Sequence, residues 1–176
     1  MSLQLGFFMV ESGTILVCDP CYDDAPHMHI TLPARNGKWW TTIERHGDRI
    51  SRLYAVLDNS PVFLAPRNVG FAGVDSGQMG IYDKAHFNNP KSVEGELTKF
   101  EFGEHADWYL MCCNRTLGEV GAGLIPHGVV SSSGWGDGSY QVQAALCEGK
   151  AIYIDITFIE DEDEPSYEIE EDQLAW

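Results

Sequence analysis

The clearest pattern along the chain is an alternation of apolar and polar positions near its C-terminal end. Apolar side chains recur at every second position through residues 140–146 and again through residues 152–158, with Glu148, Gly149 and Lys150 between them. A period of two turns one face of a strand towards a core and the other towards solvent. The pattern therefore predicts a β-hairpin with one buried face.

Shorter apolar runs, separated by turn residues, recur through the rest of the chain. They have the length of strands, and the glycines and prolines between them favour turns. The predicted strands cover residues 5–10, 14–18, 38–43, 50–57, 62–65, 69–75 and 79–82. The first two, which flank Glu11-Ser12-Gly13, are predicted to pair as a hairpin. Residues 22–36 and 83–90 are predicted to be loops, the second with room for one helical turn.

One segment, residues 104–117, carries the signals of an α-helix. Glu104 and Asp107 in its first turn suit the helix dipole, and Gly118 follows as a candidate C-terminal cap. Three side chains fall on one face at spacings of three and four: Trp108, Met111 and Cys112. A strand over residues 109–113 remains an alternative, since the periodic run is short.

Length and composition predict one folded domain with an acidic end. The chain has 176 residues, of which 44% are apolar and 22% charged, as in globular proteins. The net charge is −16, and residues 160–172 hold nine of the 27 acidic residues. We therefore expect a mainly β domain over residues 1–159, either an antiparallel sandwich or a barrel-like fold with about one helix. An acidic C-terminal segment, 160–176, follows it.

The charge distribution narrows the classes of partner and the compartment. A nucleic-acid site needs a basic footprint, and anionic membranes attract basic segments, so neither partner is expected. A protein partner for the acidic surface remains open.

No apolar run approaches the roughly 18 residues of a membrane span, and residues 1–10 lack the pattern of a signal peptide. Five cysteines without a secretory context indicate reduced thiols and a cytoplasmic protein.

Two segments place an aspartate among glycines and serines: residues 73–78 around Asp75 and residues 131–140 around Asp137. Such turns permit close approach of the backbone, and their aspartates often accept backbone N–H bonds that fix the turn. If the turns converge, carboxylates and exposed carbonyls suit a hard divalent cation. The candidate metal ligands are Asp19, Asp75, Asp83 and Asp137. Turn locking by the same aspartates is the competing interpretation.

The same two segments also provide a candidate site for a polar ligand. Serine and glutamine side chains supply hydrogen bonds, and Trp135 and Tyr82 supply a stacking wall. The predicted ligand-binding residues are Asp75, Ser76, Gln78, Ser133, Trp135, Asp137 and Tyr140. No organic cofactor is expected. A serine-elbow motif is absent, and no lysine follows the glycines as a phosphate loop requires, so no catalytic residue is predicted.

Four cysteines offer a second candidate chemistry. Cys18 and Cys21 form a Cys-x-x-Cys element, which suggests zinc or redox chemistry, but Cys112 and Cys113 are adjacent and diverge on any regular element. A redox Cys-x-x-Cys also sits between a strand and a helix, whereas a loop with prolines follows here. Packing of small apolar thiols in a core is the favoured interpretation.

Four distinctive motifs follow one another along the chain. The first is Cys18-Asp19-Pro20-Cys21-Tyr22, and the second is Val74-Asp75-Ser76-Gly77-Gln78 together with Ile81-Tyr82-Asp83. The third is Trp108-Tyr109 together with Cys112-Cys113 and Thr116, and the fourth is Ser133-Gly134 together with Gly136-Asp137-Gly138 and Tyr140. As a set they resemble a family of uncharacterised bacterial and phage proteins, known as a domain of unknown function. The resemblance spans residues 13–158 and implies a β-rich fold and a bacterial or phage origin. It implies no activity. The expected function is that of a binding or interaction domain with its site between the two turns; a metal-assisted hydrolase using Asp75 and Asp137 is the alternative.

Overall fold

The computed structural model describes residues 1–22, 26–61, 64–93 and 106–160. Within these ranges, the strands form two antiparallel sheets, and one α-helix packs outside them. The strands are β1 Ser2–Val10, β2 Thr14–Cys18, β3 Ile30–Pro33, β4 Gly37–His46, β5 Arg49–Leu57, β6 Arg67–Val74, β7 Gln78–Asp83, β8 Ala122–Ile125, β9 Gly128–Ser132, β10 Gly138–Cys147 and β11 Lys150–Thr157; the helix is α1 Ala106–Thr116. The fold is a β-sandwich, one of the two predicted architectures, and the strands of the described residues do not close into a barrel.

The two sheets enclose the main core. One sheet has the order β1-β4-β5-β11-β10-β6 and the other β3-β2-β7-β9-β8. Inward-facing apolar side chains of both sheets, among them Ile15, Trp39, Ile81 and Ile154, are fully buried between them. The predicted C-terminal hairpin is confirmed as β10 and β11, with a tight turn at Glu148-Gly149.

Helix α1 covers the outer face of the five-stranded sheet and creates a second apolar cluster. Trp108, Met111 and Cys112 are the buried face of the helix, as its spacing predicts. They pack on Cys18 and Tyr82 of the sheet, and Leu16, Ile125 and Val130 complete the cluster. This sheet is therefore buried on both faces, which explains why β2 and β7 carry nearly continuous runs of buried residues.

The predicted hairpin of β1 and β2 is wrong, although both strands form. β1 pairs with β4 in the six-stranded sheet, whereas β2 pairs with β3 and β7 in the other. The connection through Glu11-Ser12-Gly13 turns the chain from one sheet into the next. Short turn length favours a hairpin locally, but here Val10 and Ile15 bury their side chains in the shared core from opposite sheets.

Three strands of the structure were not predicted from the sequence, and two further predictions are wrong. β3 lies in the predicted loop 22–36, as an edge strand whose last residue is Pro33. β8 and β9 are short strands around a two-residue turn. Residues 64–65 of the predicted strand 62–65 are not in a strand, and residues 62–63 lie outside the described ranges. Gly118 does not have the positive φ of a helix cap.

Most of the predicted acidic segment 160–176, from residue 161 onward, lies outside the described residues. The same is true of Glu104 in the predicted first turn of the helix. Among the residues that the structure describes, no helix combines the length and the apolar character needed to cross a bilayer.

Candidate functional site

Parts of all four sequence motifs meet at one end of the five-stranded sheet. β7 is antiparallel to both β2 and β9, with Cys18 opposite Gly80 and Gln78 opposite Ser132. The loop that follows β2, the turn that precedes β7 and the turn that follows β9 therefore lie side by side. We call this end of the sheet the turn site; it contains both aspartate-bearing turns.

Asp19 is the structural anchor of the turn site. Its side chain is fully buried, and its carboxylate accepts hydrogen bonds from the backbone N–H groups of Cys21, Asp75 and Ser76, at 2.7–2.8 Å. The Ser76 hydroxyl donates a further bond of 2.6 Å. A buried carboxylate is tolerated when such donors satisfy it. Asp19 therefore locks the loop after β2 to the turn before β7, and its oxygens are occupied.

Asp75 and Asp137 take different positions from Asp19 and are exposed to solvent. The Tyr22 hydroxyl donates to Oδ2 of Asp75 at 2.7 Å. The backbone N–H of Gly77 donates to Oδ1 of Asp137 at 3.0 Å. Ser133 N–H also donates to the Gly77 carbonyl at 3.0 Å, so two hydrogen bonds join the two turns. Within the described residues, the remaining oxygen of each exposed carboxylate has no hydrogen-bond partner.

Four of the predicted ligand-binding residues form hydrogen bonds within the protein through their polar side-chain atoms. Gln78 and Ser133 are buried, and Ser133 Oγ donates to the Gly136 carbonyl at 2.8 Å. Ser76 donates to Asp19, as described above. The Tyr140 hydroxyl lies 2.6 Å from the Gly136 carbonyl oxygen and 2.9 Å from that of Ser133. These groups shape the turns from within.

Trp135 remains on the surface of the second turn with 57% of its area exposed. The guanidinium of Arg49 lies 4.6 Å from the centre of its ring, and Nη1 of Arg49 donates to the Gly134 carbonyl at 2.9 Å. A cation over an indole ring is a stabilising contact. Tyr82, the other predicted stacking residue, is buried beneath α1 and therefore does not contribute to the surface of the site.

A polar cluster connects the turn site to α1. The Thr116 hydroxyl donates to Oε1 of Gln78 at 2.9 Å, and Nε2 of Gln78 lies 3.4 Å from the Tyr109 oxygen and 3.5 Å from the Cys113 sulfur. Partial burial, together with the contact to Cys113, raises the pKa of Tyr109 to about 12. Tyr109 is therefore a neutral hydrogen-bonding group at neutral pH.

The cysteines divide into core and surface residues. Cys18 and Cys112 are buried in the apolar cluster under α1, and burial raises the pKa of each thiol. Cys21 is exposed, but partial desolvation of its thiol and the hydrogen bond with Asp19 raise its pKa to about 12. A nucleophilic cysteine needs a lowered pKa, so Cys21 lacks the activation that catalysis requires.

Asp83 lies at the opposite end of β7 from the turn site, so the predicted grouping of Asp83 with Asp19, Asp75 and Asp137 is not formed. The five residue steps from Gln78 to Asp83 correspond to about 16 Å along an extended strand. Partial burial opposes ionisation of Asp83, but hydrogen bonds from Ser12 Oγ and from the backbone N–H groups of Glu11, Ser12 and Ala85 outweigh it and lower its pKa. Asp83 therefore anchors a separate turn.

One group of potential metal ligands occurs among the described residues: Glu11, His86 and His127, whose ligand atoms lie within 4.8 Å of one another. It is next to Asp83, not at the turn site. The sequence gives no sign of it, because three segments distant in the chain contribute one ligand each. Tyr22 was also not predicted as a partner of Asp75, although it closes the Cys-Asp-Pro-Cys-Tyr motif.

No family model matches the chain, and no curated protein or solved structure matches it either. The resemblance to the bacterial and phage family therefore stays a prediction carried by the four motifs.

Proposed function

We propose that the protein is a non-catalytic binding domain and that the turn site captures a basic side chain of a protein partner between Asp75 and Asp137. The observation that carries this proposal is that the three aspartates of the turn site differ in burial and in hydrogen bonding. Asp19 is buried and fully bonded, whereas Asp75 and Asp137 are exposed on joined turns and retain one oxygen each.

The chemistry of these two carboxylates favours a cationic group. An ionised carboxylate only accepts hydrogen bonds, so its complement is a donor-rich cation such as guanidinium or ammonium. The net charge of −16 would attract a basic partner at long range. Trp135, two residues before Asp137, is exposed, and a planar guanidinium can stack on its ring as Arg49 does.

The turn site offers little for covalent catalysis. Ser133 is buried, Ser76 donates to Asp19, and the pKa of Cys21 is raised to about 12. The alternative of a metal-assisted hydrolase would need three or more ligand atoms around one ion. Among the described residues, no such group includes Asp75 or Asp137. Binding is therefore the function that the geometry supports best.

The proposal is tested by titrating the full chain with a hexa-arginine peptide and measuring affinity by isothermal titration calorimetry. A double variant, Asp75→Asn with Asp137→Asn, is compared with Asp48→Asn with Asp58→Asn, which removes the same charge from exposed positions on other turns. We expect the first to lose at least about tenfold in affinity, since hydrogen bonds to charged groups contribute roughly 1.5–3 kcal/mol each. Equal weakening in both variants would show attraction by net charge alone and would refute the site.

The single variant Asp75→Asn guards against a folding defect in the double variant. The side chain of Asp75 bonds to Tyr22 at the surface, so this substitution should leave the thermal unfolding midpoint nearly unchanged. Weaker peptide binding in a fully folded Asp75→Asn protein supports the proposal.

The compartment and the origin of the protein remain predictions: free thiols favour the cytoplasm, and the motif resemblance favours bacteria or phages.

A further inference from the structure

We propose that Glu11, His86 and His127 form a binding site for a divalent transition-metal ion of the zinc class, at the opposite end of β7 from the turn site. The three residues come from the connection between β1 and β2, the short 3-10 turn Lys84–His86, and the turn between β8 and β9. Their ligand atoms lie within 4.8 Å of one another. Two imidazoles and one carboxylate form a ligand set typical of Zn²⁺ and related ions.

Asp83 holds all three ligand-bearing segments in place. Its carboxylate accepts hydrogen bonds from the backbone N–H groups of Glu11 and Ala85, at 2.7 and 3.2 Å. Its own N–H donates to the carbonyl of His127 at 2.9 Å. The backbones that carry the ligands are thus linked through a single residue.

The hydrogen bond of His127 leaves the correct ring nitrogen available. Nδ1 of His127 lies 3.2 Å from the carbonyl oxygen of Met9, which is only an acceptor. In the neutral imidazole this contact places the proton on Nδ1 and a lone pair on Nε2. Metal-binding histidines commonly donate their other ring N–H to a backbone carbonyl in this way, which fixes the tautomer and the ring orientation.

The backbone at His127 has a conformation that favours glycine over residues with a side chain. The turn between β8 and β9 has two residues, Pro126 and His127, and His127 has φ of 59°. A residue with a Cβ costs about 1–2 kcal/mol in this left-handed region, where glycine would fit without strain. Strained positions cluster at functional sites, where the strain has a use.

The surroundings leave room for an ion and for ring movement. The rings of His86 and His127 are stacked with centres 3.6 Å apart and planes 6° apart, and Nε2 of His86 is 4.0 Å from a carboxylate oxygen of Glu11. The parallel rings must tilt towards each other so that both lone pairs meet at one ion. His86 and His127 line a groove of about 400 Å³, whose wall also includes Lys91.

The test is calorimetric titration of the untagged full chain with ZnCl₂, and with CoCl₂ to read the coordination from its visible spectrum. We expect one ion per chain. His86→Asn and His127→Asn should each reduce affinity by at least about tenfold, because even outer partners of metal ligands change it by about 10–100-fold. Asparagine tolerates the left-handed backbone at position 127. Glu11→Gln should weaken binding, whereas the control His46→Asn, on an exposed histidine at the end of β4, should not.

A readout without substitutions keeps the proposal falsifiable if a variant misfolds. In the wild-type chain, paramagnetic Co²⁺ should broaden the backbone amide signals of Ala85 and Gly128 while leaving that of Gly77 sharp. Zn²⁺ should also raise the melting temperature by mass action. Absence of binding, or binding that His86→Asn and His127→Asn leave unchanged, would overturn the site, and so would broadening centred on Gly77.

Discussion

The backbone N–H of Gly77 donates a hydrogen bond to the carboxylate of Asp137 across 60 residues of sequence, at 3.0 Å. This contact joins the two aspartate-bearing turns that the sequence presents as separate motifs. It also explains their contrasting residues: glycine supplies a positive φ and an accessible N–H, and aspartate supplies the acceptor. Asp137 itself is exposed, and its second oxygen has no hydrogen-bond partner among the described residues.

The first prediction concerns the buried anchor of the turn site. Asp19→Asn replaces one acceptor oxygen by an NH₂ group that faces backbone donors, so at least one buried N–H loses its partner. We expect a loss of roughly 2–4 kcal/mol in the free energy of unfolding. Urea denaturation followed by circular dichroism measures it. The control Asp48→Asn, at an exposed turn position, should stay within about 0.5 kcal/mol of wild type; a similarly small effect at Asp19 would contradict its anchoring role.

The second prediction concerns the reactivity of Cys21. Its pKa of about 12 in the folded protein, against the ordinary value of 9.0, leaves a thiolate fraction roughly a thousandfold smaller at pH 8. Alkylation by iodoacetamide at pH 8 should therefore be much slower in the folded chain than in urea, although Cys21 is exposed. Peptide mapping by mass spectrometry reads the rate at this one residue. Equal rates in the folded and unfolded chain would exclude the raised pKa.

The third prediction follows from the sign of that same shift. A folded-state pKa above the unfolded value means that the unfolded chain loses this proton first as pH rises. Cys21 and Tyr109, both raised to about 12, therefore stabilise the fold up to about pH 9 and progressively less towards pH 12. Thermal unfolding across this range should show a declining midpoint. Cys21→Ser should flatten part of the decline, because the hydroxyl does not titrate there; an unaltered slope would assign the decline to other groups.

The fourth prediction compares two glycines that share a backbone conformation but differ in their surroundings. Gly134 has φ of 58° and Gly47 has φ of 62°. A Cβ at Gly134 would come within 2.8 Å of Phe158 Cβ and 3.2 Å of the Ile50 carbonyl, whereas nothing lies within 4 Å at Gly47. Gly134→Asn should therefore lower the free energy of unfolding by roughly 1–3 kcal/mol more than Gly47→Asn. Equal effects of the two substitutions would show that Gly134 does not pack against Phe158 and the Ile50 carbonyl.

The sequence predicts those parts of the fold that depend on local periodicity. The alternation in β10 and β11 and the three-and-four spacing of Trp108, Met111 and Cys112 survive in the structure because each pattern reflects one buried face. The partner of β1 is not predictable in this way. A three-residue connection fits both a hairpin and a change of sheet, and only the shared core selects the second.

The candidate site is likewise predictable only in those features that depend on local sequence signals. The grouping of Asp75 with Asp137 at one place depends on turns that carry their own sequence signals, whereas the separation of Asp83 depends on the direction of β7. Burial of Gln78 and Ser133 depends on α1 and on the packing of the second turn, which no local pattern encodes. The cluster of Glu11, His86 and His127 has no sequence signal at all, since each residue is alone in its segment.

The most direct test of the turn site is a residue-specific one. In a ¹⁵N-labelled chain, the backbone amide of Gly77 and the indole N–H of Trp135 report on Asp137 and on its neighbouring ring. During titration with a hexa-arginine peptide, we predict saturable shifts of both signals, which disappear in Asp75→Asn with Asp137→Asn and persist in Asp48→Asn with Asp58→Asn. Shifts spread evenly over the acidic surface, with Gly77 and Trp135 unmoved, would contradict the proposed site.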